Sequence, residues 1–187
     1  MSKKIALISE HASPLATLGG VDSGGQNVYV AELAKHLASA GYQIDIFTRK
    51  ENTQQLNIHY WKPGIRVIHI EAGPVTYLPK EELLPYMPRF TQKMSAFIRD
   101  ERIDYEVIHA IFWMSGLVAC DLKEIFNIPF VITFHALGYV RKIYQKNVDK
   151  FPECRIDVEK HIANCADGII TGYPQEREEL IKYYNGS

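Results

Sequence analysis

The sequence is poor in cysteine: three residues, Cys120, Cys154 and Cys165, with no C-x-x-C pair among them. That is neither a disulfide framework nor a zinc knuckle, and it suits a reducing cytosol. Long hydrophobic runs are also lacking. No stretch reaches the ~18 apolar residues of a membrane span. The N-terminal M-S-K-K-I-A-L-I-S stops well short of the about 7–15 apolar residues of a secretory signal. A soluble, cytoplasmic protein is expected. Charge of one sign is missing too: 21 Lys+Arg against 22 Asp+Glu leave a net charge of −1. Neither nucleic acid nor an anionic membrane is therefore expected as a partner. No internal repeat, linker or low-complexity segment interrupts the chain. With 47% apolar and 23% charged residues, the 187 positions suit one domain, 1–187, with a sizeable core.

Short β-rich runs alternate with amphipathic stretches. Strands are predicted at Ile5–Ile8, Gln43–Thr48, Ile65–Ile70, Glu106–Ile111, Phe130–Phe134 and Gly168–Thr171, with a short extra strand over Asn57–Trp61. Helices are predicted over Gln26–Ala40, along the face marked by Phe90, Met94, Phe97 and Ile98, and over Ser115–Phe126, Ile156–Cys165 and Pro174–Tyr184. Gly41 stands where a helix terminator belongs. A stretch with Pro74, Pro79, Pro85 and Pro88 reads as an irregular loop with a broken helix. The alternation implies an α/β class: a Rossmann-like, doubly wound, mostly parallel sheet with helices on both faces. Ligands of such sheets bind beyond the carboxyl ends of the strands, at a topological switch point. Phe130–Phe134, with apolar residues on both faces, is expected near the sheet centre.

The common nucleotide motifs are absent. The glycines of the first loop come as two pairs, Gly19-Gly20 and Gly24-Gly25, so G-x-G-x-x-G fails, and Phe47-Thr48-Arg49 stands where a ribose-binding carboxylate would end the second strand. No Gly-Lys pair exists for a Walker A loop, and no H-x-x-x-H or H-E-x-x-H spacing for a metal. No metal site is expected.

Position separates the candidate site residues. Gly24 and Gly25 directly precede a helix, where free N–H groups favour an anion, although a permissive turn would use glycines as well. Of seven histidines, His36, His59 and His161 fall on surfaces and His69 within a strand. His135 follows the buried run F-V-I-T-F at its carboxyl end and faces the ligand crevice. His109 and His11 stand between a core and a site role. Phe112, Trp113 and Met114 end a strand either as a hydrophobic plug or as an aromatic wall for a sugar, with Ser115 expected to cap the next helix. By residue type alone, Lys80, Glu81, Glu82, Arg155 and Glu159 read as solvated.

Five segments form a recognisable series: V-D-S-G-G-Q-N-V-Y-V-A-E-L-A, the A-G-P at Ala72–Pro74, H-A-I-F-W-M-S-G from His109, T-F-H-A-L-G from Thr133, and Y-P-Q-E-R-E-E-L from Tyr173. From about Lys4 to Tyr184 the chain resembles the N-terminal, acceptor-side domain of retaining GT-B glycosyltransferases of the glycogen-synthase-like superfamily. The nearest branch is the sucrose synthase, sucrose-phosphate synthase and mycothiol glycosyltransferase group. The resemblance implies transfer of a hexose from a UDP- or GDP-linked nucleotide sugar to a sugar or polyol acceptor, with retention, without a protein nucleophile and without a metal or other cofactor. It puts Gly24 and Gly25 against the donor phosphate or acceptor, and His135 beside the anomeric carbon. Arg155 and Lys80 fall in the acceptor pocket. Where the family commonly reads His-Ala-His-Tyr, this chain reads His109-Ala110-Ile111-Phe112, losing polar groups that would reach an acceptor. No glutamate has another eight residues on, so the family's donor-site Glu-x7-Glu pair is missing and the C-terminal donor domain is expected to be absent from these residues. On this reading the isolated chain is inactive. The alternative is a non-catalytic Rossmann-like module that binds a sugar or nucleotide sugar.

Overall fold

A computed structural model describes residues 3–16, 24–145 and 150–184. Seven strands and six helices follow one another: β1 (Lys4–Ile8), α1 (Gly25–Ser39), β2 (Gln43–Arg49), β3 (Ile58–Lys62), β4 (Ile65–Ile70), α2 (Met87–Asp100), β5 (Val107–Ile111), α3 (Trp113–Phe126), β6 (Phe130–Thr133), α4 (Gly138–Gln145), α5 (Arg155–Cys165), β7 (Gly168–Ile169) and α6 (Pro174–Tyr184). They form one sheet in the order β3-β4-β2-β1-β5-β6-β7. Only the β3–β4 pairing is antiparallel.

Strand periodicity explains the two layers. Ile5 and Leu7 of β1, Ile44 and Ile46 of β2 and Ile111 of β5 face Val30 and Ala34 of α1. The alternate residues Ala6, Ile8, Phe47, Ile108 and Ala110 face the larger core built with α2, α3, α5 and α6. Helix α1 ends as expected: Gly41, at φ +95°, donates to Ala38 and Tyr42 donates to Leu37. This is the double bond of a Schellman stop, which needs a left-handed residue at that point.

Four expectations are revised. The winding reverses between β1 and β5, so the switch point lies there, and β6 is last but one rather than central. The helix after β5 begins at Trp113 with Phe112 as its N-cap, so Ser115 lies inside the first turn and caps nothing. The proline-rich stretch is the irregular loop with broken helical turns expected there, its two 3-10 turns being Lys80–Glu82 and Leu84–Tyr86, but α4 is an additional short helix. Arg155 and Glu159, expected in solvent, are 2% and 0% exposed.

Toward the amino ends of the strands, buried Asp45 takes two 2.7 Å bonds from Arg66 and a 2.6 Å bond from the Tyr105 hydroxyl. Burial, then Asp45, pushes the Tyr105 phenol far up, and the Asp45 bonds hold the Arg66 guanidinium charged. Among the described residues no helix is long and apolar enough to cross a membrane.

Candidate active site

The polar groups beyond the carboxyl ends of β1, β5 and β6 converge beside the switch point. Two residues past the end of β1, the buried Glu10 is the first carboxylate after that strand. It accepts a bond from the Ser115 hydroxyl and lies 2.7 Å from His11 Nδ1, while its own N–H donates to Ser115 Oγ at 3.2 Å. A buried carboxylate on Nδ1 fixes the orientation of an imidazole. The opposite flank of the His11 ring meets Phe112 edge-on, centroids 4.9 Å apart.

On the α1 side of the sheet, alternation brings His109 of β5, Thr133 of β6 and, one step beyond, His135 to the same face. His109 Nε2 lies 2.9 Å from Thr133 Oγ1. Tyr29 of α1 covers them: its ring packs edge-on to His135 at 4.7 Å and to His109 at 6.4 Å, with its hydroxyl 3.4 Å from Thr133. Burial, then the neighbouring His135, pulls the His109 pKa down to about 4. Burial, then His11, lowers that of His135. Both rings are neutral near pH 7. His135 is half-buried with φ +60°, and its Nε2 is buried with no hydrogen-bond partner among the described residues. A buried polar atom left open is costly, and a ligand hydroxyl would satisfy it.

Arg155 holds the loop that carries His135. Its Nη2 donates to the Ala136 carbonyl and its Nε to Glu159 at 2.7 Å, while Nη1 has no hydrogen-bond partner among the described residues. The guanidinium is enclosed by Phe151, Phe112 and Trp113, at 4.5, 5.3 and 5.8 Å from the ring centroids. Glu159 also accepts the Gly138 N–H at 2.9 Å and the Tyr184 hydroxyl at 2.5 Å, and burial raises its pKa against the pull of Arg155. A Cβ on Gly138 would stand 3.0 Å from Arg155 Nε and 3.1 Å from Glu159 Oε2, so any larger residue would push on this network. A cavity of about 170 Å³ borders it, lined by Gly138, Lys142, Phe151, Pro152, Glu153 and Arg155.

Other sequence candidates fare differently. Gly24 caps α1, its N–H bonded to Asn27 Oδ1 at 3.1 Å, and a Cβ on either Gly24 or Gly25 would meet nothing within 4 Å. Neither glycine has a positive φ, so packing within the described residues does not call for glycine there. Gly19 and Gly20 lie outside the described residues. Phe112 is 5% exposed and packed by protein, which favours the hydrophobic plug over an open wall for a sugar. It also holds φ +81° with ψ 157°, a region glycine normally occupies. Ile111, the other departure from the family pattern, is fully buried. Lys80 sits on the first 3-10 turn beyond β4, two strands from β1. His69 is buried with Nδ1 against the Leu56 carbonyl at 2.6 Å, as a strand histidine should be. Glu10, Tyr29 and Thr133 were not singled out from the sequence. The run Ser9-Glu10-His11, polar immediately after an apolar strand, was the available signal.

Three comparisons bear on this arrangement. The sequence profile of Glycosyltransferase Family 4 matches residues 23–186. D-inositol 3-phosphate glycosyltransferase of Corynebacterium aurimucosum is 39% identical over 186 residues, covering 98% of this chain and 44% of that protein. The protein of that name from Pseudarthrobacter chlorophenolicus is 33% identical over 184 residues, covering 97% and 44%. Among solved structures, sucrose-phosphate synthase from Thermosynechococcus elongatus superposes with a TM-score of 0.91 at 37% identity, over 97% of this chain and 45% of that one. The chain thus spans less than half the length of each of these three relatives.

Proposed function

From the premise that the chain belongs to glycosyltransferase family 4, we propose that it forms the acceptor-side half of a retaining hexosyltransferase. The donor is a UDP- or GDP-linked hexose, and its nucleotide is held by a second domain that these residues do not include. The acceptor is a polyol or sugar carrying a phosphate, a reading supported by the names of the inositol 3-phosphate and sucrose-phosphate relatives. Lys142 and Arg155, beside the 170 Å³ cavity, supply positive charge for such a group, and Lys80 is the further cation on the same side of the sheet.

The chemistry is a front-face exchange. The bond from the anomeric carbon to the diphosphate oxygen breaks, and the acceptor oxygen bonds to the same face. The acceptor proton passes to the departing diphosphate, so no protein nucleophile is needed. The hexose becomes positively charged as the leaving group departs, and a fixed neutral acceptor or donor that orients a sugar hydroxyl acts most strongly at that moment. His135 is the group for this work. One observation carries the assignment: a neutral imidazole beside the switch point, with a buried Nε2 that no described residue satisfies. Glu10 orients His11, and Arg155 positions the His135 loop through the Ala136 carbonyl. Gly24 and Gly25 leave the N-terminus of α1 open for the approach of an anion.

The test is product stereochemistry. The full-length protein is incubated with UDP-glucose or GDP-mannose and with D-inositol 3-phosphate or hexose phosphates, and the product is followed by proton NMR. Expected is an α-linked product from an α-linked donor, and none from the 187-residue chain alone. A β-linked product, or turnover by the isolated chain, overturns the reading. Binding of the acceptor by the full-length protein with no transfer under any donor favours the non-catalytic module.

A further inference from the structure

At the C-terminal end of α5 lies a group of soft ligands. His161 and Cys165 are four residues apart on this helix and so share one side of it. Cys120 comes from α3, which packs against α5. The Cys165 thiol lies 3.6 Å from His161 Nε2 and 3.8 Å from Nδ1. The three ligand atoms all lie within 4.8 Å of one another.

These distances have a chemical meaning. An ion bonded at ~2.3 Å to sulfur and ~2.0 Å to nitrogen, with tetrahedral angles, sets S and N roughly 3.5 Å apart and two sulfurs roughly 3.8 Å apart. The His161–Cys165 spacing already meets the first condition, and closing the remaining pairs from within 4.8 Å needs at most roughly 1.3 Å for a sulfur–nitrogen pair and roughly 1 Å for the two sulfurs. The frame is held in advance. Lys123 of α3 donates to the Cys165 carbonyl at 2.9 Å and to Asp167 at 2.8 Å, which fixes the end of α5 against α3. Cys120 is buried, Cys165 half-buried and His161 exposed, so the group has a dry side and a side open to water. Two sulfurs and one imidazole select zinc or copper(I) over magnesium or calcium. The histidine-pair and paired-cysteine spacings of familiar metal motifs pass over this group, because H-x-x-x-C takes its second thiol from another helix.

We propose that Cys120, His161 and Cys165 form a binding site for a thiophilic d10 cation of the zinc class, with its fourth position left to water. The ion ties the middle of α3 to the C-terminal end of α5, and takes no part in sugar transfer.

The test uses the chain in a Cys154→Ser background, which removes the exposed thiol, under a phosphine reductant. Titration with Cd²⁺ should give one equivalent of a thiolate-to-metal absorption band, displaced by Zn²⁺. Loss of an outer partner of a ligand typically weakens metal binding about 10–100-fold, so Cys165→Ser, which removes a ligand itself, should weaken it by ~100-fold or more. His161→Ala should weaken it by ~10-fold or more. Both positions reach solvent, so these variants should fold even if Cys120→Ser does not. Zn²⁺ should raise the thermal midpoint of the Cys154→Ser chain and not that of the Cys154→Ser/Cys165→Ser chain. No band, or a band unchanged in Cys165→Ser, overturns the proposal. So does a Cys120–Cys165 disulfide that forms in air as readily with saturating Zn²⁺ as without it.

Discussion

The two ends of the sheet bury polar groups in opposite ways. Toward the amino ends, Asp45, Arg66 and Tyr105 satisfy one another through three short bonds inside 21 and 60 residues of sequence separation. At the carboxyl ends, His135 keeps a buried nitrogen without a partner among the described residues, Tyr29 reaches Thr133 only at 3.4 Å, and Phe112 holds a backbone conformation that suits glycine. Desolvation is costly at both ends. It is offset within the chain at the first and left incomplete at the second, and incompleteness of this kind belongs to a place that receives something.

The sharpest way to break that contrast is His135→Ala in the full-length protein. Removing a transition-state hydrogen bond costs about 10²–10³-fold in rate, roughly 3–4 kcal/mol. We expect kcat to fall by that factor with an almost unchanged thermal midpoint. A collapsed midpoint with the rate per folded molecule intact would make His135 a packing residue and the two ends alike. Asp45→Ala should do the reverse. Stability drops by about 3 kcal/mol in denaturant melts, because Arg66 loses its main partner, while the rate per folded molecule is kept.

The third prediction concerns pH. His109 titrates at about 4 in the folded chain and near ~6.5 unfolded. Between these values the unfolded chain takes up a proton that the folded one refuses. The contribution to stability is therefore full above about pH 6.5 and declines as pH falls toward 4, by at most about 3 kcal/mol. His109→Gln, which keeps a partner for Thr133, should flatten this part of the stability–pH curve. An unchanged slope would mean that other groups set it. The smallest effects separate two glycines. Gly138→Ala, with its Cβ 3.0 Å from Arg155 Nε, should cost about 1–2 kcal/mol. Gly25→Ala, whose Cβ meets nothing within 4 Å, should change stability by under about 0.5 kcal/mol. A side chain as large as valine at Gly25 should spare the fold equally and reduce turnover.

Much of the architecture was readable because its signals are local. The strand runs, the faces of α1 and α2, and Gly41 each declare themselves within a few residues, and β4 and α6 match the predicted limits. His135 was readable for a related reason, since a polar residue closing an apolar strand is marked by its neighbours. Arg155 and Glu159 misled because a charged pair four apart on a helix is ordinarily solvated. What buries them is the aromatic group of Phe112, Trp113 and Phe151, the Gly138 backbone and Tyr184, none of which adjoins them in sequence except Phe151. Glu10 was missed because its partner Ser115 lies 105 residues away. Helix α4 was missed because its eight residues are too few to establish a period and its Ile143 and Tyr144 are exposed.

Tyr184, at the last turn of α6, reaches back to both sides of the His135 loop: its hydroxyl donates to Glu159 and accepts the Tyr139 N–H at 2.9 Å. Glu159 in turn grips Gly138 and Arg155, and Arg155 grips the carbonyl next to His135. The linkage works like a gear train. Hydrogen bonds lose most of their strength when stretched by about 0.5–1 Å, and in a dry setting no water takes over the abandoned groups. A rotation of the final turn of α6 is therefore passed along this chain of hydrogen bonds to the loop that holds His135.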